Sequence, residues 1–149
     1  MAKTYISTKI KTIVKNRAYG YCEYCKCPSD ISTDTFSLEH IIPRSKNGTD
    51  NLDNLAFSCS GCNLAKYTKI EFLDVISQNF YPLFNPRTMI WNEHFIWDEL
   101  LTSMVGKTAI GRTTIEALKV NRRPVKNLRR ALIAIGEHPP DLNTDLINY

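Results

Sequence analysis

Two Cys-x-x-Cys pairs constrain the fold of this chain more than any other feature of its sequence. The pairs are Cys22 with Cys25 and Cys59 with Cys62. Each pair can supply two thiolates to a metal ion, and two pairs complete the tetrahedral four-sulfur site that zinc occupies with bonds of about 2.3 Å. Binding would close the intervening segment into a loop. We therefore predict a structural Zn²⁺ held by these four cysteines.

Composition and the N-terminal sequence favour a reducing compartment. The chain has 149 residues, of which 43% are hydrophobic and 23% charged, as is typical of one soluble globular domain. It shows no apolar run typical of a secretory signal, and no segment approaches the about 18 apolar residues of a membrane span. We expect a cytoplasmic protein with reduced thiols, which favours metal binding over disulfides. The fifth cysteine, Cys27, is expected to stay a free thiol.

The segment between the cysteine pairs has the pattern of a strand, a loop, a second strand and a helix. Residues 36–41 alternate apolar and polar side chains, with His40 on the apolar face. Residues 43–53 are polar and contain an Asn-Gly turn signal. We predict an antiparallel second strand over 55–57 and a helix that begins within 59–62.

The flanking segments predict an α+β fold in one domain. The predicted elements are a helix over 8–19, a connecting segment over 70–84 packed on the core, a strand over 91–97 with a hairpin partner over 101–105, a helix from the cap Thr108 to about residue 121, and a helix from Pro124 to a stop at Gly136. The predicted parts are a basic N-terminal helical segment (1–21), a zinc-containing core (22–68), a C-terminal extension (69–138) and a tail (139–149).

Side chains between the cysteine pairs and just after the second pair are suited to metal-dependent hydrolysis of a phosphodiester bond. His40 carries the side chain most often used as a general base near neutral pH. Glu39 and Asn63 offer the oxygen ligands that a hard divalent ion such as Mg²⁺ prefers. Asn54 can hold the loop that carries His40 or orient its imidazole, and Lys66 can contact a phosphate. The structural alternatives are a buried strand histidine, a turn asparagine and a solvated helix lysine.

The order of these motifs resembles the HNH endonuclease family. The resemblance rests on the two cysteine pairs, Glu39-His40-Ile41-Ile42-Pro43, Asn51-Leu52-x-Asn54-Leu55 and Cys62-Asn63-x-x-Lys66. It implies a ββα-metal fold that cuts DNA with one divalent ion, with His40 as the base, Glu39 and Asn63 as ligands, Asn54 as the middle asparagine and the cysteines as a structural zinc site. This sequence has Glu39 where aspartate is also common and Asn63 where histidine is also used. Residues 83–122 resemble a C-terminal extension of bacterial stand-alone HNH proteins.

Positive charge is concentrated towards the C-terminus. The net charge is +4, and residues 107–130 hold eight basic residues against the single acid Glu116. This asymmetry favours contacts with a nucleic-acid backbone, which position a duplex without reading its sequence; a solvated pair of helices is the alternative. The candidate contacts are Arg44, Lys66, Arg112, Arg122, Arg123, Arg129 and Arg130.

Together these patterns predict a zinc-stabilised endonuclease that nicks or cuts DNA as a monomer or homodimer, with no membrane partner. The alternatives are a non-catalytic zinc module that binds nucleic acid and an effector that cuts RNA. Two further Glu-His dipeptides, ending at His94 and His138, lie outside the cysteine pairs. The predicted strand that contains His94 could bring it near the site, although a place in the core or at its rim is favoured, whereas His138 is expected to play no part.

Overall fold

The computed structural model describes residues 5–141; residues 1–4 and 142–149, which include most of the predicted tail, lie outside the described residues. Short antiparallel hairpins alternate with helices, which confirms the α+β class. The helices are α1 (Thr8–Arg17), α2 (Ser60–Lys66), α3 (Trp91–His94), α4 (Ala109–Leu118) and α5 (Arg123–Ala134). The strands are β1 (Phe36–His40), β2 (Leu55–Cys59), β3 (Glu71–Asp74), β4 (Asn79–Pro82), β5 (Phe95–Trp97) and β6 (Met104–Gly106).

Strands β1 and β2 and helix α2 form a ββα unit. The two strands run antiparallel, with Phe36 opposite Cys59 and His40 opposite Leu55. Helix α2 follows β2 directly, because the sulfur of Cys59 caps it by accepting a hydrogen bond from the amide of Cys62 at 3.5 Å. The predicted order of strand, loop, strand and helix is confirmed.

The two faces of β1 have different partners. On one face Leu38 packs against an apolar cluster formed by Val14 of α1 with Leu55 and Phe57 of β2. Val14 is fully buried in this cluster, so the predicted N-terminal helix covers the sheet. Because side chains alternate along a strand, Glu39 faces the opposite side, towards α2.

The polar loop between β1 and β2 is folded back tightly. Asn47 takes a left-handed conformation with φ of 66°. A Cβ atom at Gly48 would overlap the backbone carbonyl of Ile42. The predicted Asn-Gly turn is therefore required by close approach of the chain to itself.

The prediction of a plain connection over 70–84 is wrong, because the segment forms a hairpin. Strands β3 and β4 pair antiparallel, with Phe72 opposite Tyr81. The carboxylate of Asp74 accepts hydrogen bonds from the amide and hydroxyl of Ser77, at 3.2 and 2.7 Å, and Gln78 closes the turn with φ of 62°. The turn therefore depends on side-chain hydrogen bonds that an apolar–polar pattern does not record.

The predicted strand over 91–97 is half helical. Helix α3 is a single turn in which the amide of Phe95 donates to the carbonyl of Trp91, and only β5 pairs as a strand, with β6. Trp91 and Phe95 are four residues apart, so one helical turn places them on the same side. Their ring centroids lie 5.3 Å apart and both side chains are buried.

The two C-terminal helices begin as predicted. The hydroxyl of Thr108 caps α4 by accepting from a first-turn amide at 3.1 Å, and Pro124 lies in the first turn of α5. Helix α4 ends at Leu118, earlier than predicted, because Lys119 takes a left-handed conformation with φ of 51°. None of the helices within residues 5–141 combines the length and hydrophobicity needed to cross a bilayer.

Candidate metal centre and active site

The four cysteines of the two pairs meet in the core. Cys22 and Cys25 come from the loop after α1, Cys59 ends β2, and Cys62 lies in α2. Their Sγ atoms all lie within 4.8 Å of one another, and those of Cys25 and Cys59 are 3.7 Å apart. Four sulfurs at about 2.3 Å from one zinc ion stand about 3.8 Å apart. All four side chains are buried and none is in a disulfide, so the donor set fits zinc, as predicted.

Cys27 stays outside this group, although it is buried and close in sequence. Its carbonyl accepts a hydrogen bond from the amide of Cys22 at 2.8 Å, which closes the first knuckle. Its hydrogen bond with Cys25 and its burial raise the pKa of the Cys27 thiol. The structure thus places Cys27 as a neutral thiol next to the four-cysteine cluster.

Two arginines predicted to contact nucleic acid point instead towards the cysteines. The Arg122 guanidinium donates to the sulfurs of Cys59, at 3.3 Å, and Cys62, at 3.5 Å. Burial lowers the pKa of Arg122, but the hydrogen bond to Cys62 and the negative charges of Cys62, Cys25 and Cys59 together raise that pKa above its usual value. Arg129 is 1% exposed and donates to the carbonyl of Cys25 at 2.9 Å. The prediction that Arg129 contacts nucleic acid is therefore corrected, since no part of its guanidinium reaches a phosphate.

Glu39 and Lys66 form a buried ion pair beneath α2. The Lys66 ammonium lies 2.5 Å from one Glu39 oxygen, and the Tyr24 hydroxyl donates to the other at 2.5 Å. Lys66 also donates to the carbonyls of His40 and Ile41, at 3.1 and 2.9 Å. Burial raises the pKa of Glu39, and the adjacent ammonium opposes that effect. At 1% exposure Lys66 cannot also contact a phosphate, so that prediction is corrected.

The predicted ligands of a catalytic divalent ion do not form an open site in this arrangement. Glu39 is 3% exposed and both of its oxygens already have hydrogen-bond donors. Asn63 lies over the same face of β1, where its amide nitrogen donates to the hydroxyl of Ser37 at 3.1 Å. A hard cation needs free oxygen ligands. As placed, Glu39 does not fit such an ion, because the ammonium of Lys66 already neutralises its carboxylate.

His40 lies at the end of β1 with its ring bound to an acid that the sequence analysis missed. Its Nε2 is 2.7 Å from the Oδ1 of Asp50, and 18% of the His40 side chain is exposed. Arg44 donates to the same oxygen at 2.8 Å. The hydrogen bonds from His40 and Arg44 hold the pKa of Asp50 below its usual value, so its carboxylate is ionised at neutral pH. This contact orients the imidazole.

Asn54 holds the loop that carries these side chains. Its side-chain oxygen accepts from the amide of Ile42 at 2.8 Å, and its nitrogen donates to the carbonyls of Ile42 and Thr49, at 2.9 and 2.8 Å. These contacts correspond to the first of the two expected roles, holding the loop. They fold Asp50 back towards His40.

The other basic candidates have different surroundings. Arg112 makes a two-pronged ion pair with the buried Asp74, at 2.9 and 2.8 Å, so it serves the hairpin. Arg44 is exposed beside Asp50. Arg123 and Arg130 are exposed on α5. These last three side chains remain the candidates for phosphate contacts.

His94 belongs to the C-terminal extension. Its Nδ1 lies 2.7 Å from the hydroxyl of Thr108, and its ring packs against Phe84 with the centroids 5.9 Å apart. The structure gives no contact between His94 and His40 or Glu39. Its role is to connect α3 to the cap of α4.

The sequence analysis missed Asp50, Tyr24 and the attachment of Arg122 to the cysteines. Tyr24 stands between two cysteines, and Asp50 lies in a polar loop where an acid is unremarkable. One signal for Asp50 was present, because the adjacent Asn-Gly turn folds the loop back towards the end of β1. The partners of Arg122 lie 60 and 63 residues away, where no local pattern reaches.

Comparison with known proteins supports the resemblance over the same segment. A family model described as HNH endonuclease matches residues 22–69. Comparison with curated proteins and with solved structures gave no match. The matched segment begins at the first cysteine and contains the ββα unit, His40, Asn54 and all four cysteines of the cluster. Residues 22–69 therefore match the HNH endonuclease family, and the four-cysteine cluster fits the zinc-knuckle type of that family.

Proposed function

We propose that this protein hydrolyses phosphodiester bonds in DNA, with His40 as the general base. The observation that carries the proposal is the HNH match over the segment that holds a partly exposed His40 against an ionised Asp50. A family match of this kind supports nuclease chemistry in general. The assignment of DNA as substrate and of His40 as base is our own inference.

The contacts of His40 suggest how it acts. Because Asp50 is ionised, the N–H group at Nε2 of the imidazole donates a hydrogen bond to its carboxylate. In this tautomer Nδ1 carries no proton and can accept one from water. When the ring becomes positively charged, the carboxylate stabilises it, as in other acid–histidine pairs. Asp50 is therefore a positioning residue, and Arg44 keeps it ionised.

The HNH match also implies a divalent ion. Since the Glu39 carboxylate is already paired with the Lys66 ammonium, we assign no step to an ion at that position. The exposed guanidiniums of Arg44, Arg123 and Arg130 are proposed to contact phosphates. One active site cuts one strand, so a double-strand break needs a dimer or two encounters.

The proposal is tested by cleavage of supercoiled plasmid with Mg²⁺, Mn²⁺ and Ni²⁺. We expect His40→Ala to lower the nicking rate by about 10²-fold or more, the usual contribution of a general base. His94→Gln is the matched control, because it changes a histidine of the extension. Zinc content and circular dichroism establish that both variants are folded. Unchanged nicking by folded His40→Ala would falsify the assignment of the base.

A second candidate function is supported by the ion pair between Glu39 and Lys66. A domain whose acid is permanently paired with Lys66 can bind nucleic acid without cutting it. Binding of duplex DNA with no cleavage under any of the three metal ions would favour this candidate. Parallel digests of duplex DNA, single strands and structured RNA separate DNA cleavage from an effector that cuts RNA.

A further inference from the structure

The C-terminal extension reaches the four-cysteine cluster through Arg122. This residue lies at the N-terminus of α5, and its guanidinium spans the second knuckle, with one nitrogen 3.3 Å from the sulfur of Cys59 and the other 3.5 Å from that of Cys62. The carbonyl of Lys119 accepts from the same group at 3.2 Å. The guanidinium is thus held by one backbone carbonyl and directed onto two sulfurs.

The charge of a metal centre explains why a cation belongs there. Zinc with four thiolates carries two negative charges, and here all four ligands are buried. An uncompensated charge in a protein interior is costly unless it is paired and hydrogen-bonded. A guanidinium offers both a positive charge and N–H donors with fixed geometry.

Gly61 provides an independent observation of the same arrangement. It stands between Cys59 and Cys62 in α2, and a Cβ atom at this position would overlap the Arg122 guanidinium. Its φ is not in the left-handed region, so the helix itself does not require glycine. The missing side chain is what allows the guanidinium to lie over the knuckle.

Arg129 makes a parallel connection to the first knuckle. Its guanidinium is buried and donates to the carbonyls of Cys25, Val120 and Thr102, at 2.9, 2.9 and 2.8 Å. The extension therefore holds the first knuckle by a backbone carbonyl and the second by two sulfurs.

We propose that Arg122 is a positioning residue of the zinc centre, and that one role of the C-terminal extension is to retain the metal. Arg122 compensates the charge of the thiolates, orients two of them through N–H···S bonds and covers them from solvent. Hydrogen-bonding partners of metal ligands typically change metal affinity by about 10–100-fold. The proposal concerns the zinc centre and does not depend on the nuclease activity.

The test measures release of zinc from the full-length protein to excess chelator at 25 °C. We expect Arg122→Met to release zinc about tenfold faster than the parent, in line with the usual effect of such partners. The matched control is Arg123→Met, which removes the same charge from the next, exposed residue and should release zinc at the parental rate. Equal rates for Arg122→Met and the parent, or equal acceleration by both variants, would overturn the proposal.

A spectroscopic measurement separates positioning from general stability. In the cobalt-substituted protein, loss of N–H···S bonds raises the electron density on sulfur, so the sulfur-to-cobalt charge-transfer band of Arg122→Met should move to longer wavelength. Leu132→Ala destabilises the same helix without touching a sulfur and should leave the band unchanged. An unmoved band in Arg122→Met, or an equal shift in Leu132→Ala, would refute the positioning role.

Gly61→Ala tests the contact between the Arg122 guanidinium and the cysteine sulfurs while Arg122 itself is retained. If Arg122→Met does not fold, this variant tests the proposal in its place. Alanine normally stabilises a helix relative to glycine. We nevertheless expect faster zinc release, because the new methyl group displaces the guanidinium. Release at the parental rate would show that the contact does not retain the metal.

Discussion

Lys66 illustrates how one side chain can change the interpretation of a site. Its ammonium is buried and donates to the Glu39 carboxylate and to two backbone carbonyls. Such a pair is costly to form, but removing one partner leaves the other charge buried without compensation. At the scale of the residue, the stability of the ββα unit therefore depends on both members of this pair.

This pairing predicts a strong asymmetry between single and double variants. Lys66→Met should lower the free energy of unfolding by about 3–5 kcal/mol, because it leaves the Glu39 carboxylate unpaired. Glu39→Gln combined with Lys66→Met should recover most of that loss. Urea unfolding of the parent, both single variants and the double variant measures the coupling. Additive losses in the double variant would show that the two side chains do not depend on each other.

At the scale of elements, an ion pair links the β3–β4 hairpin to α4, which also packs on both strands. Arg112 binds both oxygens of Asp74, and Asp74 also closes the hairpin turn through Ser77. The hydrogen bonds from Arg112 hold the pKa of Asp74 far below its usual value. Stability from an acid with a lowered pKa is present above its unfolded pKa and is lost as the pH falls towards the folded value.

The hairpin is therefore expected to respond to acid. Between pH 7 and pH 4 the parent should have a higher thermal unfolding midpoint than Asp74→Asn. Below about pH 4, the usual pKa of aspartate, the difference should shrink because the Asp74 carboxylate becomes protonated in the unfolded chain while it stays ionised in the folded protein. Glu71→Gln, an exposed acid on the same strand, serves as the control and should show no such dependence. A difference between parent and Asp74→Asn that stays constant from pH 7 to pH 3 would contradict this account.

At the scale of the whole molecule, the metal site lies inside the main apolar core. The four cysteines share one cluster with residues of the extension, including Leu83, Phe84, Phe95 and Leu118. Arg122 and Arg129 add polar links between the same parts. The knuckles and the extension are thus packed as one body around the site.

Removal of zinc should therefore unfold more than the knuckles. Because metal binding energy is folding energy in such domains, we expect chelation to abolish the near-ultraviolet signal of Trp91 and Trp97, which lie in the extension. Cys22→Ser should fail to bind zinc stoichiometrically, whereas Cys27→Ala should still bind one ion per chain. Persistence of the tryptophan signal after complete removal of zinc would show that the extension folds independently.

Local patterns in the sequence were sufficient for much of the architecture. Each of these signals depends on residues within a few positions of one another: the cysteine spacing, the alternation in β1, the Asn-Gly turn, the cap at Thr108 and the first-turn Pro124. Such signals survive in a single sequence because their physical cause is local. The same reasoning failed where a local pattern was ambiguous, as in the β3–β4 hairpin and the helical turn α3.

The candidate site was predictable in outline only. The sequence by itself determined that four cysteines, Glu39, His40, Asn54 and Asn63 belong to one segment, because their order and spacing are those of a metal-closed ββα unit. Only the tertiary structure decided the partners of the charged groups: Lys66 with Glu39, Asp50 with His40, and Arg122 with the cysteine sulfurs. A charge is recorded in the sequence, but its energy depends on burial and on what lies beside it, and both are set by contacts between distant parts of the chain.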